Sequence, residues 1–254
     1  MTDTHTSSSD VLLEIRGLNK SFGGVKAVDE VSMDLRAGIV TTLVGPNGAG
    51  KTTFFNLITG ELTKDTGSIR WLGQKIDRIK PYQAARKGIL RTFQDLRLFN
   101  DMTVEENILT SIEPMSFPTF RTRAQRAEQQ ERVEYALERT GLADKRHTLA
   151  NDLAYAERKF LSMARILATD ARLWLLDEPA SGLDPQSYDR FLDILRVEVK
   201  KGVTVCIIEH NLDIVISISD RIAFLDRGRL LADGDPETVL NDPELTAIYF
   251  GERA

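Results

Sequence analysis

The sequence predicts an α/β fold with a mostly parallel core sheet, an antiparallel β edge and a helical subdomain, and three observations carry that expectation. The run Ile39-Val-Thr-Thr-Leu-Val44 is apolar and strand-like, Gly45-Pro-Asn-Gly-Ala-Gly-Lys-Thr-Thr53 is rich in glycine, and Thr52-Thr-Phe-Phe-Asn-Leu-Ile58 is helix-like. Strand-like and helix-like runs alternate again from residue 172 to residue 225, the pattern of strands joined by crossover helices. Between these halves, residues 103–149 have helical character and no strand signal, so a helical unit interrupts the sheet.

Ahead of the glycine-rich loop, Val11 to Phe22 reads as a strand and turn, with Leu13, Ile15 and Leu18 set against Glu14 and Arg16. Val31-Ser-Met-Asp-Leu35 alternates more cleanly, and the two runs are expected to form an antiparallel edge to the core sheet. Gly60 is a stop signal for the helix after the loop, and Gly67-Ser-Ile-Arg-Trp-Leu-Gly73 reads as a strand bounded by glycines. Pro81 to Lys87 suits a short helix with proline in its first turn, after which Gly88-Ile-Leu-Arg-Thr-Phe-Gln94 returns to the sheet. In the charged segment from Phe120 to Thr140, Val133, Ala136 and Leu137 supply an apolar stripe. Arg121, Arg123, Arg126, Glu128, Glu131 and Arg132 mark its solvated face, and Gly141 ends it. Arg172-Leu-Trp-Leu-Leu-Asp-Glu-Pro179 reads as a buried strand that delivers two carboxylates to the carboxyl edge of the sheet, where ligands bind in open α/β folds. A helix over Pro185 to Lys201, a strand over Val203 to Ile208 ending at Glu209-His210, and a strand over Arg221 to Leu225 follow. Arg227-Gly228 and Asp233-Gly-Asp-Pro236 read as turns, and Pro236 to Phe250 as helical.

The 254 residues are 42% hydrophobic and 28% charged, enough for one large domain or two small ones. A net charge of −5 disfavours a broad nucleic-acid-binding surface. The single cysteine, Cys206, excludes an internal disulfide framework and suits a reducing compartment; within Val203-Thr-Val-Cys-Ile-Ile208 it reads as a buried strand residue rather than a reactive thiol. Residues 1–10 are polar, have no basic and apolar regions of a secretory signal, and read as a disordered tail. No apolar run approaches the roughly 18 residues that span a bilayer, so membrane association is expected to run through a partner.

Gly45 to Thr52 fits the phosphate-binding pattern G-x-x-x-x-G-K-[ST] at every specified position. Backbone N–H groups around Asn47, Gly48, Ala49 and Gly50 are expected to wrap a β-phosphate, with the helix directing its positive end there. Lys51 would neutralise β and γ oxygens, Thr52 would ligate Mg²⁺, and Asp177 has the position of the acid that holds the metal. Glu178, beside the metal, suits the orienting and deprotonation of an attacking water. His210, at a neighbouring strand end, suits a hydrogen bond to the γ-phosphate, although a strand-end histidine also has structural uses. Gln94 at a strand exit reads either as a structural amide or as a functional one. Phe22, in Lys20-Ser-Phe-Gly-Gly24, caps a hairpin or stacks on a base.

Gly45 to Thr53, Gln94, Leu173 to Pro179, Ser181-Gly-Leu-Asp184 and His210 stand in the order and approximate spacing of the ATP-binding cassette ATPases, which the chain resembles over nearly its whole length after Asp10. The resemblance implies a P-loop NTPase fold with a RecA-like ATP-binding core and its antiparallel β subdomain over 11–94 and 171–235, a helical subdomain with a signature motif over 95–170, and a C-terminal helical extension over 236–254. It implies that Phe22 stacks on adenine, that Gln94 senses Mg²⁺ and the membrane partner, and that His210 is a switch histidine. Ser181, Gly182, Leu183 and Asp184 would form a dimer-contacting loop, two chains sandwiching two ATP molecules. Phe22-Gly-Gly24, Phe54-Phe-Asn-Leu-Ile-Thr-Gly60, Arg91-Thr-Phe-Gln-Asp-Leu-Arg-Leu-Phe99, Met102-Thr-Val-Glu-Glu-Asn107 and Asp242-Pro-Glu-Leu-Thr-Ala-Ile-Tyr-Phe-Gly-Glu252 resemble the ATPase subunits of branched-chain amino acid importers, whose relatives handle hydrophobic amino acids, urea or amides. Such a subunit sits on the cytoplasmic face of the inner membrane, bound to transmembrane permease subunits and served indirectly by a solute-binding protein; Arg97, Leu98 and Phe99 are candidate permease contacts.

One segment departs from the family. Where L-S-G-G-Q or L-S-Y-G-Q is expected, this chain has Leu153-Ala-Tyr-Ala-Glu157. Ala154 lacks the γ-phosphate-binding hydroxyl, Ala156 after Tyr155 adds a Cβ where glycine lets the backbone approach closely, and Glu157 places a negative charge near phosphates, while Arg158, Lys159 and the helix N-terminus keep some attraction. An intact phosphate loop beside an altered signature favours a heterodimer with a second, different ATPase subunit over a homodimer. Two other readings compete: a soluble cassette ATPase acting in translation or DNA repair, disfavoured by the single acidic cassette, and a catalytically weak or regulatory half of an asymmetric pair, disfavoured by Glu178 and His210.

Overall fold

The computed structural model describes residues 10–112 and 122–250. The tail over 1–9, Phe120 and Arg121 of the charged run, and Gly251-Glu252 of the terminal motif lie outside the described residues. In chain order the first half contains β1 (Val11–Phe22), β2 (Val25–Arg36), β3 (Val40–Val44), α1 (Lys51–Thr59), β4 (Thr66–Trp71), β5 (Gln74–Lys75), α2 (Pro81–Arg86) and β6 (Ile89–Arg91). Helices α3 (Val104–Ile112), α4 (Arg123–Thr140) and α5 (Tyr155–Leu167) follow, with two short 3₁₀ turns between the last two. Then come β7 (Leu173–Asp177), α6 (Pro185–Lys200), β8 (Thr204–Ile208), α7 (Leu212–Ile218), β9 (Arg221–Asp226), β10 (Arg229–Gly234), α8 (Pro236–Leu240) and α9 (Pro243–Phe250).

The strands build two sheets, one in the order β2-β1-β4-β5 and one in the order β10-β9-β3-β8-β7-β6. The antiparallel character expected at Val11–Leu35 is present, and only the attachment is corrected: those strands form a sheet of their own and do not hydrogen-bond to the edge of the core sheet. The cause lies in which face each strand buries. Leu13, Ile15 and Leu18 of β1, Phe54, Phe55, Leu57 and Ile58 of α1, and Leu43, Leu173, Leu175 and Cys206 of the core sheet pack in one cluster. α1 is thus layered between the sheets, and β1 and β2 cannot lie in the plane of the second one.

In the core sheet, β6, β7, β8, β3 and β9 run parallel, and only the edge strand β10 is antiparallel. Every residue of β3, β7 and β8 is buried, as expected for strands covered on both faces. Alternation divides β7: Leu173 and Leu175 face the α1 side, whereas Trp174 and Leu176 join Phe160, Leu161 and Ala164 of α5 and Phe191 and Ile194 of α6. Val133, Ala136 and Leu137 of α4 are buried in that second cluster, which bears out the apolar stripe.

Two local expectations need correction. Asp233 and Gly234 belong to β10, paired with Ala223 and Ile222, and Asp233 Oδ1 accepts from Arg221 Nε at 2.5 Å, so tertiary pairing overrides the local turn signal. The terminal helix is two helices, because Asp242 precedes a proline and is steered out of the helical region, its Oδ1 capping Glu244 N–H at 2.9 Å. The stretch between His210 and Arg221, to which the sequence assigns no element, forms α7, started by the Asn211 side chain accepting from Asp213 N–H at 2.9 Å.

Candidate active site

The phosphate-binding loop leaves β3 after Val44 and enters α1 at Lys51. Two glycines in it have no alternative. A Cβ on Gly45 (φ 143°) would lie 1.9 Å from Leu225 O, and one on Gly50 (φ 101°) would lie 2.1 Å from Ala27 O. The loop is also braced by Gly228 N–H, which donates to Ala49 O at 2.9 Å. The helical ladder of α1 begins with Phe54 N–H donating to Gly50 O at 2.8 Å, and the helix start has neither a side-chain cap nor an acidic residue. Its first N–H groups and positive dipole end are therefore directed at the loop around Asn47 and Gly48. Lys51 is buried and folds back, Nζ donating to Gly45 O at 2.6 Å and Pro46 O at 2.9 Å. Burial pushes its pKa down, opposed by the charges of Glu178 and Asp177. Thr52 is exposed at the helix start and Thr53 is half-buried.

Register places the other groups at the same edge. Asp177, the last residue of β7, is level with Ile208 of β8, and Leu43 of β3 is level with the same Ile208. Asp177 is buried and accepts from Arg91 Nη2 at 2.9 Å. Glu178 follows with φ 48°, a left-handed conformation that is rare outside glycine and turns the chain sharply out of the strand. Its Oε1 lies 2.8 Å from His210 Nε2. The two residues are 32 positions apart, yet the parallel pairing of β7 and β8 brings their strand exits together. Gln94 is exposed three residues beyond β6 and lines one cleft with Asp177, Glu178, Tyr155 and Lys159. Glu178 also lines a second cleft, with Ser181, Gly182, Leu183 and His210.

Three further groups meet here, of which only Lys159 is assigned a role by the sequence, and a different one. Glu209 is buried, and Oε1 accepts from Ala180 N–H at 3.1 Å; burial pushes its carboxyl from 4.5 up to about 7, against the pull of the Ala180 and His210 N–H groups and Lys159. Lys159 of α5 donates Nζ to Glu178 O at 2.9 Å and Pro179 O at 3.2 Å, so the helix after the signature segment grips the exit of β7. Arg91 reaches Asp177 from β6. Glu209 gives a signal only as a charge at the end of an apolar run, whereas Lys159, expected to attract phosphate, is turned to the exit of β7.

The signature segment differs from expectation in its charges. Ala154 is the N-cap of α5 and has no hydroxyl to offer, so only the Glu157 half of a capping box forms, the carboxylate accepting from Ala154 N–H at 2.9 Å. Glu157 is also paired with Lys145 at 2.5 Å, and that contact holds its carboxyl below the usual range. The negative charge expected at Glu157 is thus present and paired with an ammonium. Arg158 bonds Asn100 Oδ1 at 2.8 Å and Ala150 O at 3.2 Å, and Lys159 is engaged as above, so neither is left open toward a phosphate. Ala156 and Glu157 are half-buried, while Tyr155 is exposed and packs beside Gly182. Asp184 caps α6, accepting from Ser187 N–H at 3.0 Å and Ser187 Oγ at 2.6 Å.

Phe22 is exposed at the end of the β1–β2 hairpin, with Lys20 Nζ 5.4 Å from its ring centre, and the strand after it carries Ala27 onto Gly50. Beyond Gln94, Arg97 has φ 46° and bonds Glu61 Oε1 at 3.1 Å, Leu98 is half-buried, and Phe99 is exposed. Among the described residues no group of three His, Cys, Asp or Glu side chains is placed to hold a metal. Thr52, Gln94 and Asp177 offer one carboxylate and two neutral oxygens, a set that fits Mg²⁺ carried in on phosphates, since that ion takes one or two carboxylates and completes its shell elsewhere.

The ABC transporter family matches residues 28–181. The chain is 39% identical over 251 residues to the high-affinity branched-chain amino acid transport ATP-binding protein BraF of Pseudomonas aeruginosa, covering 95% of this chain and 98% of that one. It is 40% identical over 256 residues to LivG of Salmonella typhimurium, a protein with the same description, covering 96% and 99% of the two chains. Among solved structures, a nucleotide-free ATP-binding cassette from an ABC transporter superposes with a TM-score of 0.84 at 32% identity, covering 95% of this chain and 100% of that one. The ADP conformation of the ABC transporter cassette MJ1267 gives 0.83 at 31% identity, covering 95% and 99%. The chain therefore belongs to the ABC transporter family, as an ATP-binding and ATP-hydrolysing subunit of a membrane transporter.

Proposed function

We propose that this chain drives the import of branched-chain or other hydrophobic amino acids, or related small amides, by hydrolysing Mg²⁺·ATP at a site completed by a second, different ATPase chain. The observation that carries the catalytic part is the Glu178–His210 contact of 2.8 Å at the sheet edge that also bears the phosphate loop and Asp177. The transported class is supported by the descriptions of BraF and LivG, which match end to end at 39% and 40% identity.

In this reading the loop N–H groups from Asn47 to Lys51 hold the β-phosphate, and Lys51 Nζ exchanges its two carbonyl partners for β and γ oxygens. Thr52, Gln94 and Asp177 would hold Mg²⁺, whose charge would offset that of the phosphates. Glu178 orients the attacking water and accepts its proton, and His210 Nε2 exchanges Glu178 for the γ-phosphate. Phe22 stacks on the base. Ser181, Gly182, Leu183 and Asp184 meet the second ATPase chain, whose signature motif closes over the phosphate. The parts assigned to these tasks are a core over 11–94 and 171–235, a helical unit over 95–170, and a C-terminal extension over 236–254. Permease subunits dock near Arg97, Leu98 and Phe99 on the cytoplasmic face of the membrane; among the described residues no helix is long and apolar enough to cross it.

Asymmetry follows from Ala154 and Ala156. Each lost phosphate hydrogen bond costs roughly 1.5–3 kcal/mol, so the site facing this chain's signature is the slow one. The test is ATP turnover by the purified chain alone and with its neighbouring ATPase subunit. Equal activity per chain in both preparations overturns the asymmetry, and no turnover in the reconstituted complex overturns the catalytic role. Glu178→Gln is expected to retain ATP binding and to stop turnover; unchanged turnover removes Glu178 as the base.

A further inference from the structure

We propose that Arg91 is a positioning residue for the metal-holding carboxylate, clamping Asp177 by Oδ2 so that Oδ1 is kept for Mg²⁺; this rests on Asp177 being the metal-holding acid of the preceding reading. Arg91 ends β6, in register with Leu175 of β7, and its Nη2 donates to Asp177 Oδ2 at 2.9 Å. The two side chains are 4% and 3% exposed, so the pair is dry. The other guanidinium nitrogen, Nη1, donates to Asn56 Oδ1 on α1. The guanidinium carbon lies 5.5 Å from the ring centre of Phe55, also on α1, and 5.0 Å from that of Phe93, one residue before Gln94. Arg91 is thereby tied to the helix of the phosphate loop, to the segment that carries Gln94, and to the carboxylate between them.

Stability does not account for this arrangement. A buried ion pair returns little net free energy, and an apolar side chain of similar volume on both sides often does as well. Arg91 also leaves its Nε–H buried without an acceptor, a further cost. What a planar, doubly tethered guanidinium supplies that an apolar group cannot is a fixed carboxylate orientation. Partners of this kind, one step removed from the metal, commonly set its affinity by about 10–100-fold. The sign separates position from charge: a cation acting only through its field would repel Mg²⁺, so its removal would strengthen metal binding.

The experiment uses the full chain with ADP and Mn²⁺ as the probe, reading bound Mn²⁺ by electron paramagnetic resonance, and measures ADP affinity separately in EDTA. Arg91→Lys keeps the charge and loses the fork; it is expected to weaken Mn²⁺ binding by about tenfold or more while ADP affinity in EDTA stays within about twofold of wild type. Asn56→Ala removes the hydrogen-bond acceptor of Nη1, leaving only Glu61 Oε2 4.0 Å away, without touching the Asp177 pair, and its Mn²⁺ affinity is expected to fall between those of wild type and Arg91→Lys; it carries the test by itself if Arg91→Lys does not fold. Wild-type Mn²⁺ affinity in these variants, or a rise, overturns the proposal provided Asp177→Asn has lost it. An equal loss of ADP affinity in EDTA also overturns it, because Arg91 would then shape the phosphate loop. Wild-type Mn²⁺ affinity in Asp177→Asn overturns the metal assignment of Asp177 instead.

Discussion

Replacing Glu209 by Gln is expected to stabilise the chain at alkaline pH and to do little in acid. Glu209 is 3% exposed at the exit of β8, and burial raises its carboxyl from 4.5 to about 7, with Glu178 adding to the rise. The Ala180 and His210 N–H groups and Lys159 act in the opposite direction without cancelling it. A raised carboxyl means that the folded chain binds more protons than the unfolded chain between pH 4.5 and about 7. The protonated form therefore stabilises the fold fully below 4.5, and that contribution is lost as pH rises through about 7. The difference between the two values corresponds to about 3 kcal/mol, of which about 2–3 kcal/mol falls between pH 5 and pH 8. The amide of the Glu209→Gln variant would keep an oxygen for Ala180 N–H and have no charge to bury. Thermal unfolding of both proteins at pH 5 and pH 8, nucleotide-free, is the assay. The melting-temperature advantage of the variant should grow by about 5–10 °C from the lower to the higher pH. An advantage that is the same at both values, or one that shrinks with pH, refutes the argument that burial raises the Glu209 carboxyl.

Gly50→Ala is expected to lower nucleotide affinity at least about tenfold by calorimetry, because its Cβ would overlap Ala27 O at 2.1 Å in a left-handed backbone and the loop must move. Wild-type affinity would mean that the loop tolerates the shift. Lys159→Met removes the donor to Glu178 O and Pro179 O and should cost about 1–3 kcal/mol in urea unfolding; a change well under about 0.5 kcal/mol would show that water replaces the ammonium. Cys206 is buried, and burial raises its thiol far above the ordinary range, so a thiol reagent should label it only as fast as the chain unfolds. Full labelling of the native chain within minutes contradicts the burial.

Much of this protein is legible in local pattern. Gly45 to Thr52 specifies a phosphate-binding turn through residue types that only that geometry requires, and the apolar run before Asp177 identifies a doubly covered strand with acids at its exit. Tertiary structure alone decides which distant groups meet. Strand order sets β8 between β3 and β7, and this brings His210 to Glu178 and Glu209 to Ala180. The same sheet places Arg91 beside Asp177, and helix packing turns Glu157 toward Lys145 and Lys159 toward the exit of β7. The antiparallel strands separated from the core sheet, and β10 formed where a turn signal stood, for a related reason. Periodicity along a chain reports which face of an element is apolar, whereas the partner that covers that face, and the charge that answers a buried acid, depend on strand order and register, which are set by contacts far apart in sequence.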